Sequence, residues 1–256
     1  MLTWLCIAAF GASLLTFFSG FGLGTILLPV FAMFFPIPQA ILLTAIVHLL
    51  NNLFKISLVG HHTKIRVVLL FGIPACLFAI MGAQVLAQIS APTYLWQYTF
   101  QNQTYEVELL KLIIALLMIV FTILELLPLS EKIRIKPNLL WMGGALSGFF
   151  GGLSGHQGAL RSMFLIRMNL SKEAFIACGV AIALIIDISR ISIYITDEFW
   201  LHWNAQRFPL FIATISALAG SLAGKLLLPK FKLGFVTFFV SVAILIFSVA
   251  LGAGWV

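Results

Sequence analysis

Residues 17–25 read FFSGFGLGT, and residues 149–158 read FFGGLSGHQG. In each stretch two phenylalanines precede a glycine cluster, and an apolar segment follows it. Glycine is a poor helix former, and non-helical backbone survives at membrane depth only where it is buried in protein or lines a cavity. The two stretches therefore predict a pair of broken helices inside an apolar molecule.

The composition identifies the surroundings of these helices. The chain has 256 residues, of which 62% are hydrophobic and 9% charged, whereas a soluble domain has about 45–50% apolar and about 25% charged residues. A soluble globular protein is therefore excluded, and an all-α integral membrane protein is predicted. The net charge of +7 does not indicate nucleic-acid binding, because the basic residues lie in short loops between apolar runs, where the positive-inside rule accounts for them.

The apolar residues form eight runs, and about 20 residues suffice for one membrane crossing. Six runs predict ordinary spanning helices, at 39–59, 65–89, 107–127, 173–195, 207–228 and 233–254. The other two, 2–35 and 139–168, contain the glycine clusters. The first run has no basic segment before it, so we do not interpret it as a cleaved signal peptide.

The distribution of basic residues predicts the orientation. Residues 128–138 carry Lys132, Arg134 and Lys136 and are predicted to form a cytoplasmic linker, whereas the loops 90–106 and 196–206 are predicted outside. An odd number of crossings must separate the linker from 196–206, which requires the run 139–168 to enter and return as a re-entrant hairpin. By analogy the run 2–35 is predicted to be a hairpin from the opposite face, with both chain termini outside.

The two halves of the chain are predicted to be repeats. Besides the glycine clusters, Asn52 and Lys55 occupy positions that correspond to Asp187 and Arg190, each pair three residues apart. We predict a first repeat over 1–127, the linker, and a second repeat over 139–256, each made of one hairpin and three spanning helices. The odd number of crossings inverts the repeats relative to one another, an arrangement typical of secondary transporters.

The two breaks predict an anion site. Each is followed by a helix whose first N–H groups are unpaired and whose positive dipole end points at the gap between the breaks. The alternative is that the glycines only permit close helix packing. The candidate substrate-binding residues are Ser19, Gly20, Gly22, Gly24, Thr25, Ser154, Gly155, His156, Gln157, Gly158 and Arg161.

Polar side chains within the spanning runs are candidates for a pathway, gate or coupling role, because such groups are costly in a membrane. They are His48, Asn51, Asn52, Lys55, Asp187 and Arg190. We expect Lys55 and Arg190 to flank the site from opposite sides. Structural alternatives are an Asp187–Arg190 ion pair, and for Arg161 a pair with Asp187 or snorkelling to the inner surface.

Other chemistry is less well supported. His156, followed by Asp187, is the candidate for proton coupling, with a structural hydrogen bond as the alternative. No metal or cofactor is expected, since the histidines and cysteines lack ligand spacing. Gly152-Leu153-Ser154-Gly155 matches the G-x-S-G signature of rhomboid intramembrane proteases, but the histidine that such a serine needs on a later membrane helix is missing.

The chain resembles the sulfite exporter TauE/SafE family of bacterial membrane permeases. The resemblance is carried by Gly20-Phe21-Gly22-Leu23-Gly24 followed by Pro29, by the second cluster at 151–158, and by the stretch 44–55. It implies export of sulfite, an organosulfonate or a related sulfur oxyanion across the cytoplasmic membrane, driven by protons or alternatively by sodium. An anion channel and a non-transporting scaffold are the other readings.

One feature departs from the family pattern. The second cluster of the family is usually followed by a proline, whereas here Arg161 stands near that position, and His156 and Gln157 lie within the cluster. An added cation and an imidazole suit a different or more highly charged anion, so the identity of the substrate stays open.

Overall fold

The computed structural model describes residues 1–19, 22–126, 139–227 and 234–256. These residues form helices and one short antiparallel sheet. The helices are α1 (Leu2–Ser19), α2 (Leu23–Ala32), α3 (Ile37–Val59), α4 (Ile65–Ile89), α5 (Leu109–Leu126), α6 (Leu140–Ser154), α7 (Gly158–Leu165), α8 (Lys172–Tyr194), α9 (Asp197–Leu201), α10 (Trp203–Leu227) and α11 (Gly234–Gly252). The strands are β1 (Tyr94–Phe100) and β2 (Gln103–Glu108).

The predicted fold class is confirmed. Five helices of the described chain are long and apolar enough to cross a membrane: α3 with the short 3-10 turn after it, α4, α5, α8 and α10. Each coincides with a predicted spanning run, although α10 begins at Trp203, ahead of the predicted start at residue 207. The fold is therefore that of an all-α membrane protein.

Both glycine clusters break a helix where the sequence predicts it. Between α1 and α2, Gly22 has a φ of 102°, and between α6 and α7, Gly155 has a φ of 85°. Both values lie in the left-handed region that glycine adopts without a steric penalty. Residues 139–168 are thus not one continuous rod, and α6 contacts α7 as α1 contacts α2. That these hairpins re-enter the membrane from opposite faces stays a prediction.

Glycines also bring helices of the two halves into backbone contact. A Cβ atom on Gly148 of α6 would lie 2.2 Å from the carbonyl oxygen of Ala75 in α4, and one on Gly152 would lie 2.0 Å from that of Ala79. In the same way a Cβ on Gly220 of α10 would lie 2.2 Å from the carbonyl oxygen of Phe10 in α1. The packing alternative therefore accounts for these glycines, since small residues permit such close approach in membranes.

The helices pair across the two halves. The broken helix α1 packs on α10 and its counterpart α6 packs on α4, while α3 contacts α8 and α5 contacts α11. Two related halves would pair in this way, with equivalent helices meeting at the centre. The inversion of the halves relative to the membrane stays a prediction.

The sequence analysis did not foresee a β-hairpin, which begins in the loop predicted at 90–106 and ends at Glu108, so that α5 begins two residues after the predicted start at 107. Strands β1 and β2 pair antiparallel around Gln101 and Asn102, whose φ values are 51° and 62°, as in a tight hairpin turn with two positive-φ residues. The hydroxyl of Tyr98 donates to the carbonyl oxygen of Ala253 at 2.8 Å and accepts from the indole nitrogen of Trp255 at 2.7 Å. These bonds attach the hairpin to the end of α11.

Three predicted features lie outside the described residues. They are the linker 128–138 with Lys132, Arg134 and Lys136, the glycine at position 20, and the loop that carries Lys230 and Lys232. The side chain of Ser19 is likewise outside them.

Candidate functional site

The two helix breaks lie against each other. A Cβ atom on Gly24, in the first turn of α2, would be 3.4 Å from the carbonyl oxygen of Gly155. The starts of α2 and α7 therefore face a common region, which α3 and α8 border. Free N–H groups at both helix starts can interact there with negative charge.

A buried carboxylate organises the second break. Asp187 of α8 is 0% exposed, and His48 of α3 approaches its Oδ2 atom through Nδ1 at 2.5 Å. Gln157, the residue before α7, donates its side-chain amide to Oδ1 at 2.9 Å, and Arg190 donates Nη2 and Nε to the same oxygen at 2.8 and 3.1 Å. The amide of Asn52 lies 3.5 Å from Oδ2. Asp187 thus joins α3, α8 and the second break.

Arg190 is the ion-pair partner of Asp187 and a support of the break. Its Nη1 donates to the carbonyl oxygen of Gly151 at 3.3 Å, and it lies so close to Gly155 that a Cβ there would be 2.8 Å from Nη1. The structure therefore shows the Asp187–Arg190 ion pair that the sequence offered as a structural alternative. Arg190 is not among the residues that line the cavity described next. That it flanks the site opposite Lys55 stays a prediction.

A small cavity lies where α1, α2, α3, α7 and α8 meet. Its volume is about 10 Å³, room for about one water molecule. The residues that line it are Thr16, Phe17, Leu23, His48, Asn52, Lys55, Arg161 and Val180. The structure thus brings Lys55 and Arg161, which the sequence places in opposite halves, to the same cavity.

Both cations at the cavity are buried. Lys55 is 4% exposed, and its ammonium lies 5.6 Å from the centre of the Phe17 ring. Within the described ranges this ammonium makes no hydrogen bond. Arg161 is 2% exposed, and its Nη1 donates to the side-chain oxygen of Gln157 at 3.0 Å. Gln157 therefore bridges Arg161 to Asp187, in place of the direct pair considered from the sequence.

The electrostatics of this region favour a negative guest. Three buried basic side chains, Lys55, Arg161 and Arg190, lie in this region with one fully buried carboxylate, Asp187. An unpaired charge in a membrane interior is costly, and an opposite charge offsets that cost. The excess of positive charge is therefore what a bound anion would neutralise.

An acidic residue of α5 that the sequence analysis missed lies beside the first break. The hydroxyl of Thr25 donates to Oε1 of Glu125, near the end of α5, at 3.0 Å. A Cβ on Gly22 would be 3.9 Å from Oε2 of the same carboxylate. The available signal was an acid within the apolar run 107–127, and the sequence analysis did not consider it.

The serine and histidine of the second break do not form a catalytic pair. The hydroxyl of Ser154 donates to the carbonyl oxygen of Phe150 at 3.1 Å, so it accepts from Nδ1 of His156, 3.0 Å away. A general base must instead accept the proton of the serine. The His156 ring stacks on Phe121 of α5 at 5.6 Å, and its Nε2 is buried without a partner among the described atoms.

Asn51 lies apart from the cavity. Its side-chain oxygen accepts from Ser13 of α1 at 3.1 Å and from Ser221 of α10 at 2.7 Å. This contact joins three helices away from the second break. Of the remaining candidates, Gly158 is the first residue of α7.

Comparison with known proteins identifies the family of the chain. A family model described as Sulfite exporter TauE/SafE matches residues 5–251, nearly the whole chain. Searches of the curated proteins and of the solved structures gave no match.

Proposed function

We propose, from the premise that this chain belongs to the sulfite exporter TauE/SafE family, that it binds a small sulfur oxyanion between Lys55 and Arg161 and exports it across the bacterial cytoplasmic membrane. The family match over residues 5–251 confirms the resemblance. Because members of this family are membrane transporters and not enzymes, the hydrolase alternative is excluded. Sulfite and short organosulfonates are the proposed substrates.

The observation that carries the proposal is the shared cavity of Lys55 and Arg161. Two buried cations from different halves of the chain would repel each other in a dry interior. An oxyanion between them offsets this repulsion and supplies oxygen acceptors for the ammonium and the guanidinium. Charge-assisted hydrogen bonds of this kind are about twice as strong as neutral ones.

The remaining lining suits a small oxyanion. The amide of Asn52 and the first N–H groups of α2 are further donors at the edge of the cavity. Phe17, Leu23 and Val180 cover the other sides with apolar surface, which excludes water and strengthens the electrostatic contacts.

The size of the cavity favours a transporter over an open channel. At about 10 Å³ it holds roughly one water molecule, so an oxyanion enters only after the two breaks separate. Movement of α2 and α7, each preceded by a glycine of positive φ, would open the cavity to one side at a time. Inverted repeats, with both termini outside, would provide two equivalent openings.

Binding to purified variants tests the proposal. Lys55→Met and Arg161→Gln should each weaken sulfite or methanesulfonate binding about tenfold or more, the loss of one charge-assisted contact. Lys64→Met and Arg66→Gln are matched controls, because both side chains are exposed. Unchanged affinity in both cavity variants would contradict the site. Saturable counterflow in liposomes supports a transporter, and single-channel currents would favour the channel.

A further inference from the structure

We infer that Glu125 is the proton-coupling residue, because its carboxylate occupies the positive end of α2 next to the proposed anion cavity. This inference rests on the proposed function, since it concerns the coupling of that same site. Binding of the anion would then require a proton on Glu125, and the two ions would be carried together.

The position of Glu125 is the first support. Its Oε1 accepts from the hydroxyl of Thr25 at 3.0 Å, and Thr25 is the third residue of the ten-residue helix α2. The first N–H groups of a helix carry its positive dipole end, which stabilises negative charge. The carboxylate of Glu125 therefore lies at the helix end that the sequence predicted to interact with the substrate anion.

The neighbourhood of the carboxylate is the second support. Leu23, the first residue of α2, lines the same cavity as Lys55 and Arg161, so a bound anion and an ionised Glu125 would share one positive region. The side chain is partly buried within an apolar spanning helix, and no described cation forms an ion pair with it. Such a charge is costly in a membrane.

Among the residues that the structure describes, the other charged or titratable groups near Glu125 come from α7 and from the turn before it. Arg161 lies on α7, which contacts α5, and His156 stacks on Phe121 one turn before Glu125. Helices α2 and α11, which also pack near α5, carry no titratable side chain in their sequences. On α5 itself Lys111 lies near the other end, paired with Glu108 at 3.0 Å.

The charges then determine the coupling. With Glu125 ionised, an incoming anion meets a second negative charge, whereas a proton on the carboxylate removes that repulsion. Proton and anion therefore favour each other's binding, as linkage requires. A dianion with one proton still carries one negative charge, so an inside-negative membrane potential favours its export.

The test measures binding of methanesulfonate and of thiosulfate to the purified full chain between about pH 5 and pH 8. Both probes keep their charge over this range, so any pH dependence belongs to the protein. The wild-type affinity should fall as the pH rises, by at most about tenfold per pH unit for one linked proton. Glu125→Gln should bind at high pH as tightly as the wild type at low pH, with the pH slope lost.

Glu108→Gln is the matched control and should keep the wild-type slope, because Glu108 is the last residue of β2 and lies next to the opposite end of α5 from Glu125. In liposomes, a methanesulfonate gradient should drive proton movement with the wild type and not with Glu125→Gln. If Glu125→Gln or Glu125→Ala binds with the wild-type slope, the coupling role is overturned while the anion site stands. If the wild type binds neither anion at any pH, the coupling role and the proposed function fall together.

Discussion

His48 and Asp187 join the two halves of the protein through a close polar contact, 2.5 Å between Nδ1 and Oδ2. They lie on α3 and α8, which contact each other and which the repeat prediction pairs as equivalent helices. Because Asp187 also accepts from Gln157 and Arg190, one carboxylate determines how the second break sits beside α3. The proposed anion site therefore depends on a residue that need not touch the anion.

Replacing Asp187 by Asn should destabilise the protein strongly. The substitution leaves Arg190 buried without its counter-ion, and breaking a buried pair in this way costs about 3–5 kcal/mol. Thermal unfolding in detergent measures the effect. Glu173→Gln is the control on the same helix, since that side chain is exposed. Adding Arg190→Gln to Asp187→Asn should restore part of the stability, and no restoration would contradict the ion-pair role.

Much of the fold could be predicted because lipid imposes simple rules. A run of apolar residues near the length of one crossing has few alternatives to a helix, and the two glycine clusters identified both breaks. The β-hairpin at 94–108 was missed because the analysis read the loop only for charge. Its signal was present in the aromatic and β-branched residues on both sides of Gln101 and Asn102.

The types of residue at the site could be predicted from the sequence, but the contacts between those residues could be predicted less well. Buried polar groups stood out against an apolar sequence, but which cation faces the cavity depends on helix rotation and on hydrogen bonds between distant residues. Arg190 pairs with Asp187 because the two residues are three apart on one helix. Lys55 has no carboxylate near it in sequence, and it lines the cavity. Glu125 escaped notice because its partner Thr25 lies in another helix.

Gly155→Ala should distort the second break. The φ of 85° disfavours any residue with a Cβ atom, and that Cβ would lie 2.8 Å from Nη1 of Arg190. Strain of this kind costs about 1–3 kcal/mol, and anion binding should weaken as the break shifts. Gly179→Ala, in α8, is the control for stability, because its Cβ would make ordinary contacts with α7, at 3.6 Å from Nε of Arg161 and 3.9 Å from Leu165. Equal stability of the two variants would argue against a required left-handed glycine.

Gly148→Ala tests the contact between α6 and α4. The added methyl would come within 2.2 Å of the carbonyl oxygen of Ala75, so the helices must separate, and overpacking costs about 1–3 kcal/mol. Gly11→Ala meets no atom within 4 Å and should be neutral or slightly stabilising, since alanine favours a helix. The unfolding midpoints of both variants provide the measurement, and similar midpoints would contradict close packing.

Cysteine labelling tests the orientation on which the inverted repeats depend. A cysteine replacing Gln97, in β1, should react with a membrane-impermeant reagent from outside, and one replacing Lys64, before α4, only from inside. Both side chains are exposed, so accessibility depends on the side of the membrane. The native cysteines Cys6, Cys76 and Cys178 need replacement first. The reverse labelling pattern would mean that the protein has the opposite orientation in the membrane. Labelling of both cysteines from the same side would contradict the proposed topology.

Tyr194 links the second break to a larger cavity of about 650 Å³ near the ends of α3, α4 and α8. It lines this cavity, and its hydroxyl donates to the carbonyl oxygen of Gly152 beside the second break. By the predicted orientation the cavity opens to the outside. We therefore expect Tyr194 to hold the break closed on that side.

Tyr194→Phe keeps the ring and removes this bond, which is worth about 1 kcal/mol. A cysteine replacing Ser154, which is 2% exposed, should then react faster with a reagent added outside, because the break separates more often. Tyr98→Phe is the control, since its hydroxyl bonds to Ala253 in the β-hairpin region. Equal reaction rates in both backgrounds would mean that the aromatic ring, and not the hydrogen bond, closes the outer side.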